Sequence, residues 1–242
     1  QLSIYIPFRT KGDISYIKNI QKDFESKGKP KSVIGSFATH DEPSPIITGG
    51  APFANMIIWL QATLPLNSYF VDGFQTGDSY QYHYANQKAS KTYTDDDYYY
   101  VHKGKFDIFN FSRKPGSNNT EILENFALAN KFKAMAGEIL DKGELCVLNT
   151  SNPQVFSYII NYRYSSILVI LNKDLIYNND VTVNVKNLKQ DDIVIPLAFN
   201  AAPDVNKGKI SLNLMPGEVS VFMISREAKD VKTKQNHNIV PQ

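Results

Sequence analysis

The sequence predicts an α/β chain that gives way to an all-β one, and three observations carry that prediction. Short apolar runs alternate with helical periodicity over roughly residues 1–75. Each of those runs ends in polar or charged residues: Arg9-Thr10, Thr39-His40-Asp41-Glu42 and Asp72-Gly73. From Leu145 onward the period changes to short strands punctuated by turns. Strand and helix in alternation mark parallel βα units. Short strands at near-regular spacing indicate an antiparallel sandwich.

Ser3 to Phe8 reads as the first strand, stopped by Pro7 and the Arg9-Thr10-Lys11-Gly12 turn. Asp13 is an N-cap for a helix carrying Ile14, Tyr16, Ile17, Ile20 and Phe24, which Gly28 and Pro30 end. Val33 to Ala38 is the second strand. After a loop over Pro43–Gly50, Ala51 to Leu64 forms a strongly apolar helix with Phe53, Met56, Ile57, Trp59 and Leu60 inside it. Pro65 breaks that helix, and Ser68 to Val71 is the third strand. Short strands with polar tips at their C-terminal ends suit a barrel or a doubly wound sheet, where active sites gather at that end.

Residues 73–119 form a long tyrosine-rich connection, of the kind that is functional rather than disordered. Thr120 caps a helix to about Leu140, with Ile122, Leu123, Phe126, Ala129, Phe132 and Met135 on its apolar side. The β region offers strands at Leu145–Leu148, Val155–Tyr162, Ile167–Asn172, Val181–Val185, Ile193–Ala198, Lys209–Leu214 and Val219–Ile224. The expected domains are therefore 1–140 and 141–225, with a polar, frayed tail over 226–242.

Composition narrows the function classes. At 42% hydrophobic and 21% charged, the 242 residues describe a globular chain rather than a disordered one. A net charge of +2 is too small for a phosphate-tracking surface, so no nucleic-acid partner is expected. No apolar run approaches the ~20 residues of a membrane span, so no membrane partner is expected either. Nothing at the N-terminus resembles a signal peptide, and a cytoplasmic setting is slightly favoured for a compartment otherwise unknown. The lone Cys146 excludes an intrachain disulfide. The chain opens at Gln1 inside an apolar run, which suits either a processed start or a piece whose upstream half is missing.

One compact group carries chemistry: His40-Asp41-Glu42 at a strand end. An imidazole and an acid fixed there are aimed by a rigid scaffold. Neighbours on an extended chain point oppositely, so His40 and Asp41 share a pocket only if the strand turns there. Pro43 favours such a turn by keeping Glu42 out of helical geometry. A solvated loop is the plainer alternative.

The order of elements resembles the C-terminal part of the α-amylase superfamily, glycoside hydrolase family 13. Ser36-Phe37-Ala38-Thr39-His40-Asp41-Glu42 is similar to the family's segment at the end of barrel strand 7, whose core is His-Asp. Ala62-Thr63-Leu64-Pro65 with Ser68-Tyr69-Phe70-Val71-Asp72-Gly73 is similar to its helix 7–strand 8 junction. Tyr5-Ile6-Pro7-Phe8 resembles its strand 6, and Phe106 to Arg113 resembles the approach to helix 8. The resemblance reaches to about Ser225, and only the His-Asp segment is diagnostic.

That resemblance implies the C-terminal part of a TIM (β/α)8 barrel, from about strand 6 to helix 8, followed by an antiparallel β-sandwich. It implies that Asp41 is the catalytic carboxylate that stabilises the transition state and that His40 binds the same sugar ring, with Glu42 and Asp72 as further substrate-binding positions. The nucleophile and the acid/base would lie on upstream strands, so the chain alone is expected to be inactive. The implied substrate is an oligosaccharide or a sucrose-like α-glucoside, since Thr39 stands where many amylases carry asparagine. An N-terminal half or a second chain would cover the open barrel edge. No cofactor is expected, with room for calcium in the complete protein. The rival expectation is a non-catalytic carbohydrate-binding or assembly module.

Other features have plainer readings. Trp59 is expected in the core, and Cys146 as a small buried hydrophobe. Tyr98-Tyr99-Tyr100 either stack on sugar or fill space under a loop. Asp95-Asp96-Asp97 lacks the spaced calcium-loop pattern and reads as a solvated turn. His83 and His102 lack ligand spacing. Asn118-Asn119-Thr120 and Asn149-Thr150-Ser151 match glycosylation sequons by pattern only.

Overall fold

The computed structural model describes residues 2–3, 22, 26, 34–36, 45–70, 73–77, 120–189, 192–198 and 203–226. The chain forms two compact units: Gln1–Asp13 with Pro30–Lys131, and Ile14–Lys29 with Phe132–Gln242.

In the first unit, β1 (Leu2–Ser3), β2 (Ile34–Ser36) and β3 (Asn67–Ser68) form a parallel sheet in that order. Leu2 pairs with Gly35 and Ile34 with Asn67. The three expected strands are thus neighbours and parallel where they are described; residues 4–8, 33, 37–38 and 71 lie outside the described residues. Parallel neighbours need a crossover, and helix α1 (Pro45–Thr63) lies within the one from β2 to β3.

The expected loop over Pro43–Gly50 is partly helical instead. Pro45 begins a turn in which Thr48 Oγ1 donates to the Pro45 carbonyl at 3.2 Å. Gly50 then interrupts the helix at φ 68°, ψ −166°, a conformation essentially confined to glycine. Proline and glycine signalled a loop there, whereas they build a kinked helix. Pro52 falls in the first turn after the break, where its missing N–H is not needed. From Phe53 to Thr63 every residue is buried, Trp59 completely, so the helix is enclosed on all sides.

Helix α2 (Thr120–Met135) starts at Thr120 as a helical residue and is broken at Ala136, and α3 (Gly137–Lys142) follows. Its buried side differs from the expected one. Ile122, Asn125, Ala129, Phe132 and Ala136 are buried at alternating spacings of three and four, while Leu123 and Met135 are exposed. Each of those two lies next to the stripe, and a shift of one position turns a side chain by about 100°.

The second unit is a β-sandwich. Strands β4 (Glu144–Leu148), β5 (Val155–Tyr162), β6 (Ser165–Asn172), β11 (Val219–Ser225) and β8 (Ile193–Ala198) form one antiparallel sheet in that order. Strands β7 (Asn179–Asn184), β10 (Lys209–Leu214) and β9 (Asp204–Asn206) form the other. Val155, Ile159, Leu168, Ile170, Phe222 and Ile224 of the first meet Val181, Val183, Ile210 and Leu214 of the second in one core. Cys146 is half-buried against that core rather than fully enclosed. Strand β9 was not expected. Its Asp-Val-Asn sequence has poor strand propensity, and pairing to β10 overrides it.

One edge of the sandwich is stitched shut. Thr150 bridges to Val183, Ser151 N donates to the Thr182 carbonyl at 3.1 Å, and Thr182 N donates to Ser151 Oγ at 2.8 Å. On β8, Pro196 occupies an edge strand, where a missing donor costs little and discourages further pairing. The second face of the five-stranded sheet is buried too, through Tyr158, Ile160, Ile167, Val169, Leu171 and Val221. Helix α3 packs on β5 and β6. Gly143 ends α3 in ordinary extended geometry, so its backbone does not demand glycine. Its surroundings do: a Cβ there would collide with the Ile139 carbonyl oxygen and Ile160 Cγ2.

Two predictions follow from this packing. Gly143→Ala should lower stability by about 1–3 kcal/mol in urea denaturation, because the Ile139 carbonyl and the Ile160 side chain must both give way to admit the methyl group. Lys133 on α2 is half-buried, and desolvation pulls its ammonium down to about 8. Below pH 8 the folded chain holds a charge that the unfolded chain solvates better. Between pH 8 and about 10.5 the folded state sheds the proton while the unfolded state keeps it, so stability attributable to this group rises with pH. Lys133→Met should therefore raise the melting temperature at pH 7, and the advantage should shrink as pH approaches 10.5.

Candidate functional site

The sequence places His40, Asp41 and Glu42 between the end of β2 and the start of α1, and Asp72 just beyond β3. All four lie outside the described residues, as do Tyr5–Phe8, the 78–119 connection with its tyrosines, and the segment 106–113. What the structure does give is the scaffold on either side of them. Because β2 and β3 are parallel, the chain leaves both strands at the same edge of the sheet.

That edge is fastened by one buried amide. Gln61 of α1 is 1% exposed, and its side chain pairs with the Tyr69 peptide like a short piece of strand. Its Nε2 donates to the Tyr69 carbonyl at 2.9 Å, and its Oε1 accepts from Tyr69 N at 3.3 Å. Tyr69 N also reaches the Gly35 carbonyl at 3.1 Å, and Ser68 Oγ donates to the Gln61 carbonyl at 3.0 Å. Helix α1, β2 and β3 are tied together at the residues immediately preceding Val71-Asp72.

Beyond Asp72 the chain turns at Gly73, with φ 92°, into a 3₁₀ turn over Phe74–Thr76. Gln75 Oε1 accepts from Gly73 N at 3.0 Å, and Thr76 Oγ1 donates to the Gly73 carbonyl at 3.0 Å. Phe70 is flanked by Phe74 at 5.2 Å and, edge-on, by Phe126 of α2 at 4.9 Å between ring centroids. Asn55 Nδ2 donates to Glu121 Oε1 at 2.9 Å, joining α1 to α2. Both sides of the Asp72 position are therefore held by specific contacts.

Sequence reasoning did not single out Gln61, Asn55 or Glu121. The available signal was the presence of Asn55, Gln61 and Thr63 inside an otherwise apolar helix. A buried polar group must find a partner, so these positions mark where the helix is pinned rather than merely packed. Trp59 is core, as expected. Among the described residues, no group of three or more His, Cys, Asp or Glu side chains is arranged to hold a metal ion, and no helix is long and apolar enough to cross a membrane.

Gln61→Leu removes the donor to the Tyr69 carbonyl while preserving volume. It should cost about 1–3 kcal/mol in chemical denaturation, and the Tyr69 amide should exchange faster with solvent. Unchanged exchange there would show that Gln61 does not hold the edge.

No protein-family model matches the chain, and no curated protein does. Solved structures do match. A maltogenic α-amylase from Thermotoga neapolitana aligns at 16% identity and a TM-score of 0.59, over 90% of this chain and 48% of that one. An Anoxybacillus α-amylase aligns at 10% identity and a TM-score of 0.60, over 88% and 46%. A debranching enzyme from Nostoc punctiforme aligns at 14% identity and a TM-score of 0.56, over 87% and 38%. The chain spans less than half the length of these enzymes, and over that part it shares their fold.

Proposed function

We propose that this chain is the C-terminal portion of an α-amylase-like glycoside hydrolase or transglycosidase that acts on α-glucosidic bonds. The observation that carries the reading is the order of architecture. Three parallel strands in sequence order precede an antiparallel sandwich, and the chain aligns over most of its length with part of each carbohydrate enzyme above.

In this reading the strand ends after β2 and β3 belong to the last part of a (β/α)8 barrel, where loops at the C-terminal edge carry the chemistry. Asp41 stabilises the positive charge that develops on the sugar ring, and His40 hydrogen-bonds the same ring. Glu42 and Asp72 contribute to the substrate-binding side. Cleavage with retention needs a nucleophile and an acid/base about 5–5.5 Å apart, and both belong to strands upstream of β1. The substrate is an oligosaccharide or a sucrose-like α-glucoside. An N-terminal half of the same protein, or a second chain, pairs with β1 and covers the open side of the barrel. No organic cofactor enters the scheme.

The test is direct. Residues 1–242 alone should show no turnover of maltooligosaccharides or sucrose. In the complete protein, Asp41→Asn should lower kcat by about 10²–10³, the loss typical of one preorganised electrostatic contact. Turnover by the isolated chain that Asp41→Asn abolishes would overturn the division of labour and require a local pair of carboxylates. An upstream sequence without an Asp and a Glu on successive strands would instead favour the non-catalytic binding module.

A further inference from the structure

We propose that one end of the β-sandwich is a basic surface that docks on an anionic lipid headgroup layer. Such a contact is peripheral and needs no membrane span. It stands independently of the activity proposed above.

Topology gathers the charge. The β5–β6 hairpin turns at Arg163-Tyr164, β11 ends beside it at Ser225, and β8 starts at Ile193 opposite Ser225. In the second sheet, β7 ends at Asn184 and β9 at Asn206, both paired with Lys209 at the start of β10. The Val185–Leu188 turn after β7 lies against the β9–β10 hairpin, with Val185 N donating to the Gly208 carbonyl at 2.9 Å. Bonds at the far end show that the two sheets run in step. Asn152, before β5, donates to Asn179 Oδ1 at the start of β7, and Asn172, ending β6, donates to the Met215 carbonyl after β10. Arg163, Lys186, Lys189, Lys207, Lys209 and Arg226 therefore share one end, while Asp174, Asp180 and Glu218 lie at the other with Lys173. The chain's net charge of +2 averages over this polarity.

Two observations set these cations apart from an ordinary solvated rim. None of them forms an ion pair among the described residues, and all but the half-buried Arg226 are exposed. The acids at this end offset them only in part: Glu138 pairs with Lys142 at 3.1 Å, Asp192 Oδ2 accepts from the Lys189 backbone N at 2.9 Å, and Glu144 sits on the edge strand β4. The second observation is in the backbone. Both two-residue hairpins here hold a cation at positive φ, Arg163 at 52° and Lys207 at 48°. Glycine or asparagine suits such positions better, so folding alone does not ask for either cation.

The residue types select the partner. Lysine predominates, and its strongly hydrated point charge suits a diffuse anionic surface rather than the forked recognition of one phosphate. Uncharged side chains separate a lipid layer from a nucleic acid. Tyr164, beside Arg163, is 62% exposed, and Ile193 at the same end is 38% exposed. An aromatic and an aliphatic side chain among cations match the boundary between headgroups and acyl chains. A phosphodiester backbone offers Ile193 no comparable contact.

The experiment is flotation of the 242-residue chain with phosphatidylcholine vesicles, with and without phosphatidylglycerol, alongside thermal melts of each variant. The chain should float only with the anionic vesicles and be released between about 0.1 M and about 0.5 M salt. Arg163→Gly and Lys207→Asn suit their turns and should melt no lower than the wild type. Each of them, and Lys186→Gln, should weaken binding about fivefold, the scale of one cation at a charged membrane. Lys173→Gln, at the acidic end, should bind like the wild type. No flotation with anionic vesicles, or equal flotation with neutral ones, would overturn the proposal. So would a loss with Lys173→Gln as large as with the other variants, since net charge alone would then explain it. Release by inorganic phosphate at an ionic strength where chloride does not release the chain would show a discrete phosphate site instead of a surface. Tighter binding to duplex DNA than to the vesicles, weakened by the same variants, would overturn the lipid assignment.

Discussion

The parallel pairing of β2 with β3 is the constraint on which the functional reading depends. Parallel neighbours end at one edge, so β2 and β3 send the chain out of the sheet on the same side. The pairing itself is short, and short parallel ladders are weak. It is reinforced from outside the ladder by Gln61, whose amide copies a strand's donor and acceptor at Tyr69. The enclosure of α1 makes that reinforcement effective. A fully buried helix cannot shift to accommodate a wandering strand end, because close-packed interiors transmit displacement rather than absorb it.

The sandwich was largely legible in the sequence because its signals are local and mutually consistent. Val155–Tyr162 combines β-branched and aromatic residues, Ile193–Ala198 and Lys209–Leu214 carry aliphatic ones, and the strands form there between turn residues. The exceptions have tertiary causes. Asp204–Asn206 becomes a strand only because β10 offers it a partner. On α2, Leu123 and Met135 satisfy a loose apolar pattern, but the stripe through Ile122, Ala129, Phe132 and Ala136 is the one that packs. Sequence periodicity gives the amphipathic character of a helix more readily than its exact rotation, since neighbouring apolar residues compete for the same face.

The candidate site rests on sequence in a different way. His40-Asp41-Glu42 is recognisable as chemistry by residue type and by its place after an apolar run, which are properties of sequence alone. Gln61 and the kink at Gly50 were not legible as support. A glutamine in an apolar helix reads as a blemish until its partner, Tyr69, is located in space. Proline and glycine before α1 read as loop because each disfavours helix in isolation. Together they instead build a helical turn, a glycine-only break and a helix whose first turn accepts Pro52.

The two sheets of the sandwich divide their labour through burial. The central strands of the five-stranded sheet, β5, β6 and β11, are buried on both faces and read as nearly continuous apolar runs, such as Ile167 to Leu171. The three-stranded sheet contributes Val181, Val183, Ile210 and Leu214 to the core and turns polar residues, Asp180, Thr182, Lys209, Ser211 and Asn213 among them, to its other side. Substitution is constrained differently on the two. A polar side chain within Ile167 to Leu171 would be buried and would need a partner such as Ser166 finds in Asn161 and Asn172 in the Tyr177 carbonyl, so that stretch has little freedom to vary. Outward positions on β7 and β10 can vary with small energetic consequence once the core-facing alternation is kept.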